Sequence, residues 1–254
     1  MEWTKDFYTR QYELLGSPAV WASFSPSNLP ERATGRAAAV ERLAGSGAKR
    51  VLELGCGGGI MAGAIALLGN RVVAVDIVDE AVTSARYFAA QVTNGDMRVI
   101  QGDFYEIALD GLFDVVCYFD GFGIGSDADQ RHLLHRIAGW LKPEGCVLID
   151  IYNTPWHVVN RDGEAYQEGT VMHRSDFDAD NCRLEENMWS VDEEESQAVT
   201  QSLRCYTPAD FRLLLQGTGL MLQTMEPYAS TWDYTEPVPL IEAAIYLAKL
   251  VGEE

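Results

Sequence analysis

The sequence predicts a doubly wound α/β sheet that carries an antiparallel β insertion. Three features predict it. From Arg50 to Asn153, short apolar runs rich in β-branched residues alternate with helix-like stretches, as parallel strands covered on both faces require. Gly55, Gly57, Gly58 and Gly59 stand where the first run ends and the first helix begins. Beyond Asn153 the alternation gives way to short alternating runs between turn residues, the pattern of a meander.

Before the first strand, "ERATGRAAAVERLA" (31–44) has amphipathic helical spacing. It follows an aromatic segment, "DFYTRQYELLG", and a Pro/Ser-rich loop, "SFSPSNLP", expected to fold over the top of the sheet. "RVLEL" is the first strand and "GIMAGAIALLG" the helix after it. "RVVAVDI" and "DEAVTSARYFAAQV" form the second pair, and "MRVIQGDF" is the third strand. "FDVVCYFD" and "DADQRHLLHRIAGWL" follow, then the fifth strand "GCVLIDIYN". Asn94-Gly95 and the "KPEG" turn at Lys142 to Gly145 punctuate these units.

The insertion, 154–206, reads as three short strands, "GTVMHRSDF", "RLEENMWSV" and "AVTQSLRCY". The acidic run "DEEE" (192–195) is expected to be a solvated turn. In "TPADFRLLLQGTG", Thr207 suits an N-cap, Pro208 the first helical position, and Gly217 or Gly219 the stop. "LMLQTMEPY" and "EAAIYLAKL" predict a closing hairpin at the sheet edge.

Composition narrows the function. The 254 residues are 47% hydrophobic and 22% charged, as in ordinary globular proteins. A net charge of −19 repels phosphate backbones and argues against nucleic-acid partners. No apolar stretch resembles a leader or a membrane span, so a cytoplasmic protein is expected. Five irregularly spaced cysteines without a CxxC predict neither disulfides nor zinc, and four scattered histidines make no metal site. Cys117 and Cys146 read as core residues.

Open α/β sheets bind ligands beyond the carboxyl ends of their strands, where the glycine stretch falls. A helix start there suits a carboxylate or phosphate. Asp76, ending the second strand, suits the two hydroxyls of a ribose. A G-x-G-x-x-G/A reading fails from Gly55, where Ile60 holds the sixth position, but "GGGIMA" from Gly57 satisfies it. A dinucleotide therefore remains a competitor at this point. Further features bear on the choice: Glu53 gives E-x-G-x-G-x-G, "GDF" with Asp103 ends the third strand, and "FDVV" leads to Asp120.

This combination resembles the class I S-adenosylmethionine (SAM) dependent methyltransferases, over 48–153 in motifs and 207–250 in topology. The resemblance implies a Rossmann-like seven-stranded sheet with the last strand antiparallel and an antiparallel β cap after the fifth strand. It implies S-adenosyl-L-methionine as cofactor, with Glu53, Gly55, Cys56, Gly57 and Gly59 around the methionine moiety. Asp76 and Ile77 would meet the ribose, and Asp103 and Phe104 the adenine. Phe119 and Asp120, followed by Gly121, would face the methyl group and substrate. Tyr8 and Tyr12 belong to a segment that closes over SAM in related enzymes. The insertion resembles the substrate cap of small-molecule N- and O-methyltransferases.

The expected organisation is one domain, 1–254, with an N-terminal lid and helix over 1–47 and a substrate cap over 154–206 that leaves the main core unenlarged. The expected reaction moves a methyl group to a nitrogen or oxygen, with carbon as the second choice, of a small-molecule acceptor, and a homodimer is compatible with the sequence. His157, after the fifth strand, and His173, in the cap, are candidate bases, with Asp120 as the residue that orients the acceptor. His132 and His135 are expected on a solvent face. Trp156, Trp189, Trp232 and Tyr234 are candidate acceptor-lining aromatics, and Glu186 and Asn187 point to opposite cap faces. The alternatives are an NAD-type Rossmann oxidoreductase and a SAM-binding protein without methyl transfer.

Overall fold

The structure is a computed structural model that describes residues 2–160, 163–230, 234 and 236–253. The chain begins with helices α1 (Glu2–Leu14), α2 (Ser17–Ala22) and α3 (Glu31–Ala44). Then come β1 (Arg50–Leu54), α4 (Ile60–Leu67), β2 (Arg71–Asp76), α5 (Asp79–Ala89), β3 (Asp96–Gln101) and β4 (Phe113–Tyr118). Helix α6 (Asp127–Trp140) leads into β5 (Leu141–Tyr152). The insertion holds α7 (Thr154–Asn160) and strands β6 (Ala165–Glu168), β7 (Val171–Asp178), β8 (Arg183–Ser190) and β9 (Val199–Arg204). Helix α8 (Pro208–Leu215) and strands β10 (Leu220–Tyr228) and β11 (Ile245–Gly252) close the chain.

The main sheet has seven strands in the order β10-β11-β5-β4-β1-β2-β3. β1 pairs in parallel with β2 and β4, and β11 runs antiparallel to β5 and β10. The expected seven-stranded architecture with an antiparallel last strand is therefore present. The central strands β1, β4, β5 and β11 are buried on both faces because they carry apolar residues at successive positions, whereas the edge strands β3 and β10 are largely exposed or half-buried. Val51 and Cys117 face the core under α3 and α4, whereas Leu52, Leu54 and Val116 face the core under α6 and α8.

Helix ends follow local chemistry. Ser126 accepts from the Asp129 amide at 3.2 Å while the Asp129 carboxylate accepts from the Ser126 amide at 2.8 Å, a capping box that starts α6. Thr207 and Asp210 do the same for α8, with Pro208 at its first turn. The "KPEG" segment does not separate helix from strand. It is a bulge inside β5, where Phe113 pairs with Leu141 but Val115 pairs with Cys146.

The insertion is richer than its sequence pattern. Its second sheet has four antiparallel strands, β6-β7-β8-β9, and is preceded by α7. β6 escaped notice because its four residues are all exposed and carry no apolar alternation. α7 is seven residues long, too short for a helical period to register. The cap also joins the main core, contrary to expectation. Leu184, Leu203 and Cys205 are buried with residues of β1, β4 and β5, and Leu203 bridges Ile124 in the loop after β4. Nor is "DEEE" merely solvated: Glu193 accepts from Arg10 of α1 at 2.7 Å, and Glu195 pairs with Arg174. Among the described residues, no helix is long and apolar enough to cross a membrane.

Candidate active site

At the carboxyl ends of β1, β2 and β4 lies a cleft of about 620 Å³ of atom-free space, part of it open to solvent. Its floor is Gly55 together with Asp76 and Ile77 from the end of β2. Asp103, Phe104 and Tyr105 after β3 line it, and the Phe104 ring meets Tyr118 of β4 edge-on at 5.4 Å. Phe119, Asp120 and Gly121 at the end of β4 complete the wall, with Ile124 beyond. Thr4, Tyr8 and Tyr12 of α1 form the roof.

The glycine turn is shaped by its backbone. Gly55, Gly57 and Gly59 have φ of 66°, 51° and 78°, a left-handed region costly for residues with a Cβ. Asp76 fastens the turn to the sheet. Its Oδ2 accepts from the Gly57 amide at 2.8 Å and its Oδ1 from the Val78 amide at 3.0 Å. Burial raises the Asp76 pKa, while these amide donors oppose the rise. Each carboxylate oxygen keeps further lone-pair capacity toward the cleft, which suits a vicinal diol such as a ribose.

The roof is an aromatic stack. The Tyr8 and Tyr12 rings lie 5.8 Å apart, and Tyr12 meets Trp21 of α2 edge-on at 4.8 Å. Gln201 of β9 donates to the Tyr8 hydroxyl at 3.2 Å, so the cap holds the roof. Lys5 pairs with Asp79, the first residue of α5, at 2.6 Å on the surface. α1 thus contacts both α5 and the cap. Trp21 lies against Gly58: a Cβ there would stand 2.2 Å from the indole ring.

The remaining expected residues scatter. Glu53 is buried beneath the turn and does not line the cleft. Burial raises its carboxyl pKa to about 8, against the opposing charge of Arg36. Cys56 is buried too, and Gly57 and Gly59 shape the turn from behind. His157 is 1% exposed and lies outside the cleft, its Nε2 donating to the Ala244 carbonyl at 3.1 Å. A histidine turned onto backbone is not placed to take a proton from a ligand in the cleft. His173 stacks on Tyr166 in the cap, ring centres 5.1 Å apart, and does not line the cleft either. His132 and His135 are exposed on α6. Trp189 and Tyr234 are buried, Trp156 packs edge-on against His157, and Trp232 lies outside the described residues.

Sequence reasoning missed Thr4, Tyr105, Tyr118 and Ile124 in the lining. Tyr105 and Tyr118 directly adjoin Phe104 and Phe119, so extending each motif by one aromatic finds them. Thr4 and Ile124 carry no such signal. Also missed was the buried Arg36–Asp150 ion pair, 3.0 Å long, with Arg36 between the rings of Phe119 and Tyr234 at 5.2 and 5.1 Å.

Glu53 makes a testable pH signature. A carboxyl group whose folded pKa exceeds its unfolded value stabilises the fold most at low pH. That contribution fades as pH rises from about 4.5 through about 8. Asp150, raised by burial to about 6, acts in the same direction at lower pH. From pH 6 to 8 the difference between wild type and Glu53→Gln isolates Glu53, because Asp150, and His173 with its pKa lowered by burial, contribute alike to both proteins. Glu53→Gln should gain about 1–2 kcal/mol relative to wild type across that window. Parallel stability curves from urea melts of the two proteins at pH 6 and 8 would rule this out.

Comparison with known proteins agrees with the geometry. Residues 51–145 match the family described as "Methyltransferase domain". The cypemycin N-terminal methyltransferase of a Streptomyces species is 35% identical over 104 residues, 40% of this chain and 41% of that protein. The chain thus spans less than half the length of that relative. Among solved structures, the CcbJ methyltransferase from Streptomyces caelestis superposes with a TM-score of 0.72 at 21% identity, covering 93% of this chain and 96% of that one. The glycopeptide N-methyltransferase MtfA, solved with S-adenosyl-L-homocysteine, gives 0.59 at 19% identity over 87% of each chain. Residues 51–145 therefore match a methyltransferase domain, and the chain shares the fold of these solved methyltransferases.

Proposed function

We propose that this chain transfers a methyl group from SAM to a nitrogen or oxygen of a small-molecule acceptor. The observation that carries this reading is the covered glycine turn. A dinucleotide needs the turn and the following helix start open for its pyrophosphate. Here Trp21 occupies the space over Gly58, and the Tyr12 hydroxyl lies 3.8 Å from where a Gly57 Cβ would stand. The cleft that remains is lined by Phe104, Ile77, Asp76 and Asp120 among others, a set that suits one nucleoside with a short charged tail. Asp76 would hold the ribose, Ile77 and Phe104 would flank the adenine, and Asp120 would face the acceptor.

SAM supplies a methyl already activated by the sulfonium. The protein's part is to align the acceptor with that carbon and to exclude water. The aromatic roof and the cap suit both tasks. The chain acts as one unit, 1–254, with 1–47 as lid and 154–206 as acceptor cap. Because the cap shares the main core and fixes Tyr8, its removal is expected to cost SAM binding as well as acceptor binding. The reading extends to a cytoplasmic enzyme, for which a homodimer is compatible. The charge of −19 supports free small molecules over nucleic acids as acceptors.

The test is incubation with labelled SAM and a panel of small amines, phenols and sugars, following S-adenosylhomocysteine formation. Acceptor-dependent product supports the reading. Tight SAM binding with no product across the panel favours a SAM-binding protein that does not transfer methyl.

A further inference from the structure

Asp120 is one of two non-glycine residues with positive φ among the described residues, at 59°. A left-handed aspartate is sparsely populated and persists where its surroundings hold it. Here the holding group is visible. The Tyr152 hydroxyl, at the end of β5, donates to Asp120 Oδ1 at 2.6 Å, a short charge-assisted bond. Tyr152 is 7% exposed, and its ring is backed by His157 at 5.5 Å, which is itself fixed to the Ala244 carbonyl. Burial, then the charges of Asp120 and Glu186, raise the Tyr152 pKa, so the hydroxyl keeps its proton and remains a donor. Asp120 lines the cleft and is tied to Tyr152 of the core under α3 and α4, whereas Phe104 packs on the core under α6 and α8. On the SAM reading, with Phe104 at the adenine and Asp76 at the ribose, Asp120 is left for the methyl group.

We propose that Tyr152 is a positioning residue that fixes the Asp120 carboxylate toward the methyl-transfer point, where it receives an N–H-bearing amine of the acceptor. This rests on the SAM reading above. A carboxylate is acceptor-only, and with Oδ1 engaged by Tyr152 its remaining lone pairs favour a donor, best a cationic or N–H one. The amine's lone pair forms the new N–C bond as the C–S bond breaks, and that bonding pair stays on sulfur as a neutral thioether. The extra proton of the methylated ammonium passes to Asp120 or to water.

Sinefungin, a SAM analogue with a protonatable amine in place of the methyl sulfonium, tests the placement without an acceptor. S-adenosylhomocysteine, neutral at that position, is the reference. Both are titrated into wild type, Tyr152→Phe, Asp120→Asn and the double variant. Expected is a 5- to 20-fold loss of the sinefungin preference in Tyr152→Phe, with S-adenosylhomocysteine affinity kept within threefold. The double variant should fall no further than Asp120→Asn alone. A preference unchanged in both single variants overturns the proposal. Loss of both ligands together in Tyr152→Phe, which keeps the ring against His157, also overturns it by making the role structural. Methylation of hydroxyl acceptors but not of their matching amines overturns the choice of amine. Failure of wild type to bind either ligand instead removes the SAM reading and the proposal with it.

Discussion

Arg36→Met should destabilise the fold by about 3–5 kcal/mol, the usual cost of leaving one member of a buried ion pair uncompensated. The side chains of Arg36 and Asp150 are 4% and 0% exposed. With Arg36 removed, Asp150 stays in the sheet centre with neither its charge partner nor water. Arg36 also fills the space between Phe119 and Tyr234, and the methionine keeps most of that volume, so the loss reports charge more than cavity. Arg36→Met combined with Asp150→Leu should recover most of the stability, because the buried charge is then gone. Urea denaturation of the three variants decides this. A single variant within 1 kcal/mol of wild type, on the scale where surface pairs fall, would show that the pair is not desolvated as the structure places it.

Asp76→Ala should weaken SAM binding by roughly 1.5–3 kcal/mol, or about 10- to 150-fold. Two losses combine. The ligand's hydroxyls lose a charged acceptor, and the glycine turn loses the bonds from the Gly57 and Val78 amides to the Asp76 carboxylate. Asp76→Asn separates them, because the amide oxygen can still accept one turn bond while the charge is gone. It should fall between wild type and alanine. Calorimetric titration gives the ranking, and an alanine variant with wild-type affinity would remove Asp76 from the site.

The main sheet was legible because its evidence is local. Continuous runs such as "RVLEL" and "GCVLIDIYN" can only be buried strands, and capping residues such as Thr207 mark helix starts without tertiary help. The cleft's floor was legible for the same reason, since glycines and acids at strand ends have few other uses. The histidines were misplaced because sequence proximity to the sheet edge does not fix where a side chain points. His157 follows β5 directly, yet α7 turns it inward to Ala244, 87 residues away in sequence. Arg36 looked like one charged position of an amphipathic helix, and nothing local signals a partner on β5. The cap's share in the core was hidden likewise, since Leu203 meets Ile124 only once the chain has folded back.

The central claim is that the cleft between Phe104, Asp76 and Asp120 takes SAM. The most direct test is calorimetric titration of the wild-type chain with SAM and, separately, with NAD. Micromolar binding of SAM with one site per chain and no measurable heat from NAD is the predicted result. Micromolar NAD binding in the absence of SAM binding would contradict it, because the covered glycine turn would then have to open for a pyrophosphate.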